Sequence, residues 1–303
     1  MTTPPKIRIA HIVNPVAVPP ESRFHFVQQV TFETMRRARD YARGQVDVTL
    51  LTTQYPEDHP ILPEGFRVTP DLTRSVLDLA QFRRERKLPL IGDILRRAYE
   101  HSEADYLLYT NADIGLLPHF YITVAHLIAE GYDGLVINRR SIPDTFESLD
   151  ALPQMYAEVG APHRGWDCFV FRRDLFPKFV LGETCVGAPR VELALYANLL
   201  LWSRHFREFK DLHLTFHLGN EANWRSSIYA DYADYNTRQS LIALRTLDET
   251  AGPFPPNSPP ARFLRTRRSH LRTYLYDLLI KQVYIPLEVV QCGRKLAGWL
   301  KFW

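Results

Sequence analysis

Tyr106-Leu107-Leu108-Tyr109-Thr110-Asn111-Ala112-Asp113 is a short apolar run that passes directly into two polar side chains one residue apart. With a helix-like segment before it and Ile114-Gly115-Leu116-Leu117-Pro118 after it, the run reads as a buried parallel strand. The carboxyl ends of such strands are where open α/β sheets bind ligands. Strand alternation aims Asn111 and Asp113 to one side, offering an amide oxygen and a carboxylate to a single hard cation. The triplet equally suits a plain strand-ending turn, which Asn and Asp favour.

Outward from this strand the chain keeps alternating between strand and helix. Lys6 to Val13 reads as a first strand ending at Asn14-Pro15. Phe24 to Arg43 carries apolar residues at helical spacing and stops at Gly44, a sensible helix terminus. Val46 to Leu51 is a second strand ending in Thr52-Thr53, so the opening is a βαβ unit and predicts a parallel sheet with right-handed crossovers. The spacing then predicts helix over 91–101, strand over 106–109, helix over 121–130 and strand over 135–137. Strand over 168–171, a long helix over 191–207 and strand over 212–217 follow, with a loop over 141–164. No Gly-x-Gly-x-x-Gly follows the first strand and no Gly-Lys-Ser/Thr loop occurs, which disfavours a dinucleotide dehydrogenase or a P-loop enzyme.

The 303 residues suit one large α/β domain with an appendage. At 46% hydrophobic and 23% charged residues there is ample material for a core. Three scattered cysteines and no secretory signal fit a reducing cytoplasm. Charge is unevenly placed. From Ala261 onward nine Lys and Arg face two acids, a segment charge of +7, so the other 260 residues sum to −4. Gly252-Pro253-Phe254-Pro255-Pro256 and the residues to Pro260 form the dense proline cluster, an extended spacer. The expected organisation is a body over 1–250, a linker over 251–260 and a basic amphipathic helical tail over 261–303. Arg262, Arg265, Arg268 and Arg272 gather on one face of that tail, and Trp299, Leu300 and Trp303 on an apolar face further on. Such helices either lie in a lipid interface or dock on the body through their apolar faces. No apolar run approaches the roughly 20 residues of a spanning helix. Aromatic residues are not interleaved with the arginines as a base-stacking surface requires, so nucleic acid is disfavoured as a partner.

Four segments in order carry a resemblance: the Asn111-Ala112-Asp113 strand end, Gly165-Trp166-Asp167-Cys168-Phe169-Val170-Phe171, the helix opening Arg190-Val191-Glu192-Leu193, and His217-Leu218-Gly219-Asn220. In this arrangement the chain resembles GT-A-type nucleotide-sugar glycosyltransferases over about residues 6 to 225. The resemblance implies a Rossmann-like α/β fold, a mostly parallel central sheet flanked by helices, with the C-terminal helices as an appendage. It implies a nucleoside-diphosphate sugar as donor and a divalent metal, Mn or Mg, held at an acidic strand-end motif. That motif is usually Asp-x-Asp, and here Asn stands first. Asn111 brings no charge, so Asp113 is the expected direct ligand, with Asn111 meeting a ribose hydroxyl or a metal-bound water.

The family's late metal ligand corresponds to His217. His213, four residues earlier along a strand, lies about 13 Å from His217 and cannot easily share the ion. A carboxylate must take the acceptor proton in an inverting enzyme, and Glu192 is the expected base, with Asp167 orienting the acceptor. Related sequences tend to carry Glu-Asp or Trp-Asp at this helix start, whereas this chain reads Pro189-Arg190-Val191-Glu192, and Glu192 also suits a plain first-turn acid. Asn14, Thr52 and Asp93 are placed to meet the nucleotide, although each fits a turn or cap as well. Trp166 and Trp224 suit stacking on an acceptor sugar or burial in a core. The expectation is a cytoplasmic glycosyltransferase acting on a glycan or lipid-linked acceptor near a membrane surface. The alternative is a catalytically silent nucleotide-sugar or glycan-binding protein, motivated by Asn111 and by the missing acidic pair near Glu192. A sugar nucleotidyltransferase is disfavoured by the absence of a Gly-rich loop bearing Arg and Lys at the N-terminus.

Overall fold

The computed structural model of the chain describes residues 6–219 and 229–268. The predicted helices beyond 268, Asn220, Trp224 and Cys292 lie outside the described residues. The chain divides into two units, Met1–Gly252 and Pro253–Trp303. In the second, helix α7 of the numbering below spans Pro259–Arg268.

The first unit is built on β1 (Arg8–Val13), α1 (Arg23–Tyr41), β2 (Asp47–Thr52), β3 (Arg67–Val68), α2 (Ile91–Glu100), β4 (Tyr106–Thr110) and β5 (Gly115–Leu116). It continues through α3 (Phe120–Ala129), β6 (Gly134–Ile142), α4 (Leu152–Ala157), β7 (Ala161–Arg172), α5 (Val191–Trp202), β8 (Phe206–Phe209), β9 (Thr215–Leu218) and α6 (Ala230–Thr250). The strands form one nine-stranded sheet in the order β3-β2-β1-β4-β7-β6-β9-β5, with β8 also on β6. Pairing is parallel from β3 through β4, and β6 pairs in parallel with both β8 and β9. β7 runs antiparallel between β4 and β6, and β5 runs antiparallel to β9. The architecture is thus the mixed α/β fold with a mostly parallel sheet.

Both faces of the sheet are covered, which is why its inner strands are continuously apolar. Ile9, Val13, Leu50 and Leu108 face Phe32 and Met35 of α1 and Phe120 and Val124 of α3. Ala10, Ile12, Leu107 and Tyr109 face the other way, onto Ile94 of α2, Ala194 of α5 and Ala243 of α6. His11 is buried on β1, its ring nitrogens bonded to Tyr121 Oη at 2.8 Å and Thr110 Oγ1 at 2.9 Å. Burial lowers its pKa to about 3, so the ring stays neutral. Helix α1 ends at Tyr41, and the turn after it passes through Gly44, whose φ of 92° is a left-handed conformation that a side chain resists.

Several boundaries differ from the sequence reading. β7 extends back to Ala161, so Asp167 lies inside a strand and the expected loop over 141–164 is shortened at both ends. Helix α5 stops at Trp202, and the first two residues of β8, Phe206 and Arg207, fall where the periodicity extends the helix. β9 begins at Thr215, leaving His213 in a turn with φ 50°.

Helix α6 latches two loops through polar side chains. Asp231 Oδ2 accepts the Arg83 N–H at 2.8 Å, and Tyr232 Oη accepts that of Arg86 at 2.7 Å. Asn236 accepts from Cys185 N at 2.9 Å and donates to Cys185 O at 2.8 Å, while Ser240 donates to Arg190 O at 2.9 Å. The loop of residues 183–190 held in this way leads into α5.

Candidate active site

The site forms at the carboxyl end of β4. The strand stops at Thr110 and Asn111 to Ile114 make a turn, closed by Ile114 N–H on Asn111 O at 3.3 Å. Asn111 and Asp113 therefore owe their directions to a turn, and strand alternation does not apply to them. Tyr109 Oη donates to Asn111 Oδ1 at 2.8 Å, which fixes the amide and occupies part of its acceptor capacity.

Asp113 meets His217 because β5 pairs with β9 in the register Gly115↔Phe216 and Leu116↔Thr215. Gly115 is required for that pairing, since a Cβ there would stand 2.4 Å from the Phe216 ring. His217 Nε2 lies 3.3 Å from Asp113 Oδ2, with the side chains 11% and 27% exposed. Its Nδ1 lies 3.0 Å from Gly219 O, a carbonyl that can only accept, so this nitrogen carries a proton. Burial opposes charge on both groups. Their mutual hydrogen bond and attraction prevail, holding the Asp113 carboxyl below and the His217 imidazole above their ordinary ranges.

Do these residues fit a divalent cation? Asp113 Oδ1 is buried without a partner, an oxygen able to ligate. An Nδ1–H bonded to a carbonyl is the usual way a ligating imidazole is oriented. Cis ligands about 2.1 Å from an octahedral ion stand about 3 Å apart, close to the observed separation. Among the described residues no group of three or more His, Cys, Asp or Glu could hold a metal, so the remaining ligands would come from donor and water.

On the other side of the site the β6–β7 ladder breaks. Ile137 pairs with Cys168 and Asn138 with Trp166, leaving Asp167 as an unpaired bulge residue. Arg139 is skipped in the same way before Arg140↔Pro162. Bulges re-aim side chains, and these two meet: Arg139 Nη1 lies 2.6 Å from Asp167 Oδ1, with the side chains only 12% and 7% exposed. His163 Nδ1 stands 3.8 Å from Asp167 Oδ2. Glu192, in the first turn of α5, is half-buried. Burial, with Asp167 adding to it, pushes its carboxyl up to about 7, against the lowering pull of Arg190 and Arg139. Arg190 has φ 81° at the cap of α5, a costly conformation for a non-glycine residue.

The three nucleotide candidates are dispersed by function. Asn14 is buried and its Nδ2 donates to Thr53 O at 2.7 Å, tying the ends of β1 and β2. Thr52 is fully buried with its hydroxyl unpartnered. Asp93 is no helix cap: it accepts a bidentate pair from Arg74, at 2.8 and 3.0 Å. Trp166 is not an open platform either. Its ring stacks on Tyr196 at 4.2 Å and its Nε1 donates to Glu208 at 3.0 Å. Arg139 was absent from the sequence reading, and the only signal for it is the Arg139-Arg140 pair closing an apolar strand. A cleft of about 1040 Å³ lined by Arg8, Arg43 and Asp105 among others opens at the amino ends of the strands and holds none of these groups.

No family model matches the chain, and no curated protein matches it. Among solved structures it is similar to S. aureus TarS residues 1–349 in complex with UDP-GlcNAc, with TM-score 0.51 and 11% identity over 85% of this chain and 69% of that one. The same TarS fragment in complex with UDP gives TM-score 0.50 and 11% identity over 92% and 76%. The mannosyltransferase PcManGT from Pyrobaculum calidifontis in complex with GDP-Man and Mn²⁺ gives TM-score 0.50 and 13% identity over 97% and 81%. At these identities the likeness is one of fold.

Proposed function

We propose that the chain is a glycosyltransferase that moves a sugar from a nucleoside-diphosphate donor to a glycan or lipid-linked acceptor with help from a divalent metal. The observation that carries this reading is the Asp113–His217 pair, with an unpartnered carboxylate oxygen, at the end of β4, where the carboxylates of Asp167 and Glu192 also act on Tyr109. Structural neighbours solved with UDP-GlcNAc and with GDP-Man and Mn²⁺ support the donor class.

Asp113 and His217 would hold the metal, and Mn²⁺ or Mg²⁺ when bound supplies Lewis-acid charge to the leaving diphosphate. The acceptor oxygen forms its bond to the anomeric carbon as the bond to the diphosphate oxygen breaks, and the electron pair leaves with the diphosphate. Glu192 takes the acceptor proton. A carboxyl tuned near neutrality suits that task, because it is both available as base and basic enough to pull. Asp167 orients the acceptor hydroxyl through its unpartnered Oδ2. Asn111 stands on the donor side next to Asp113, while Asn14 and Asp93 hold the neighbouring strand-end loops through Thr53 and Arg74.

In this reading residues 1–250 are the catalytic domain, 251–260 the linker and 261–303 a basic tail that brings a cytoplasmic enzyme to an anionic membrane face. Among the described residues no helix is long and apolar enough to cross a membrane.

The test is calorimetric titration of UDP-, GDP- and dTDP-sugars with and without Mn²⁺ on the native chain and on Asp113→Ala. Metal-dependent binding of one nucleotide class, lost in the variant, is expected. No binding to any donor under either condition overturns the site. Binding with neither transfer nor hydrolysis in the presence of acceptor extracts would instead select the silent binding protein. Asn111 favours that second reading, as it carries no charge and already accepts from Tyr109.

A further inference from the structure

The bulge between β6 and β7 places a cation where the transferase reading has no use for one. Arg139 bonds Asp167 through Nη1, and its Nε is buried without a hydrogen-bond partner. Its charge acts in both directions, on Asp113 and His217 toward the metal side and on Glu192 toward the base. A regular β6–β7 ladder continued from Ile137↔Cys168 would pair Asn138 with Asp167 and Arg139 with Trp166, setting Arg139 and Asp167 on opposite faces of the sheet. The observed break leaves both out of register together, and such bulges next to sites act to re-aim a side chain.

We propose that Arg139 is a positioning residue of the reaction: aimed by the bulge, its guanidinium holds the Asp167 carboxylate in place on the Glu192 side of the site. The proposal takes its consequence for turnover from the transferase reading. Its geometric content stands apart from that reading. Asp167 is almost completely buried, and a buried carboxylate needs a bonded partner. Its other neighbour, His163, lies farther off at 3.8 Å. Without Arg139 the Asp167 carboxyl would lose its close partner, and Glu192 would lose a cation that opposes the effect of Asp167 on it.

The charged groups that act on Glu192 are Asp167 of β7, Arg139 of β6 and Arg190 at the start of α5 itself. Tyr109 of β4 also faces Glu192, and its phenol is held well above its ordinary range by burial and by the carboxylates of Glu192, Asp113 and Asp167. Arg139 is the cation in contact with Asp167, so removing either partner changes the field at Glu192 with opposite sign.

That opposition is the test. Carboxyl resonances of Glu192 and Asp167 are followed by NMR against pH in the unliganded native chain, in Asp167→Asn, in Arg139→Met and in the double variant. Asp167→Asn is expected to lower the pH at which Glu192 gives up its proton by about one unit, and Arg139→Met to raise it by a similar amount. The double variant, which buries no lone charge, returns toward the native value and guards against misfolding of either single variant. Shifts of the same sign, or no shift, overturn the proposal.

In transfer assays Arg139→Met is expected to lower kcat about 10²-fold, and Arg139→Lys to restore part of it by keeping the charge while losing the planar fork. The double variant is expected to be no slower than Arg139→Met alone. Independent, multiplying losses would overturn the coupling. A native chain that transfers no sugar defeats the transferase reading, and the titration still decides the role of Arg139.

Discussion

Replacing Glu192 by Gln is expected to stabilise the fold at alkaline pH while abolishing transfer. The carboxyl moves from an ordinary value of 4.5 up to about 7, chiefly through burial. Because the folded pKa is raised, the folded state binds the proton more tightly than the unfolded chain. The stability this gives is complete below 4.5 and is lost as pH rises through 7. A shift of about 2.5 units corresponds to about 3.4 kcal/mol at most, and partial exposure of the side chain reduces this to about 2 kcal/mol. Glutamine has nearly the same shape and does not titrate. Urea unfolding, followed by tryptophan fluorescence from pH 5 to pH 8.5, should give nearly equal stabilities for the two proteins at the acid end. The Glu192→Gln chain should lead by about 2 kcal/mol at the alkaline end. Curves that run parallel across the range would refute the reasoning, because they would mean that Glu192 titrates alike in both states.

Gly115→Val should push the Phe216 ring out of its seat, since a Cβ at that position lies 2.4 Å from the ring. We expect a stability loss of about 1–3 kcal/mol and, through the adjacent His217, at least a tenfold loss of Mn²⁺-dependent donor affinity, read by urea unfolding and calorimetry. Asn236→Ala removes a fully buried amide that bonds both the N–H and the carbonyl of Cys185. Its cost should be about 3 kcal/mol, with faster amide exchange across residues 183–190 as the local sign.

How much of this was legible in the sequence depends on which force fixed each element. The β4 strand and the opening βαβ unit were readable because burial on both faces leaves an uninterrupted apolar run. Asp113 and His217 were each singled out from motif order, and the structure sets them 3.3 Å apart. The long β7 was not readable. Its first half, Ala161-Pro162-His163-Arg164-Gly165, mixes Pro, Gly and charge, and it pairs only through an irregular ladder. β8 was missed, its first half absorbed into a predicted helix, because four residues carry too little pattern. Helix α6 was not foreseen, since residues such as Asp231, Asn236 and Ser240 are polar by type yet buried by partnership. Arg139 was passed over for the same reason: a charged residue looks solvated until its partner is seen. Boundaries set by hydrophobic burial were therefore visible, whereas those set by paired polar groups required the fold.

The latch made by α6 also sets an order of events during synthesis. The candidate catalytic groups lie between Asp113 and His217, but the loop that delivers Glu192 is clasped by Asn236 and Ser240. At about 5–20 residues per second, a ribosome needs roughly 1–5 s to pass from His217 to Ser240. During that interval the nascent chain carries every acid and base of the site without the helix that fixes the base in place. Competence is therefore expected to arrive late and abruptly, when α6 closes over chain made seconds earlier.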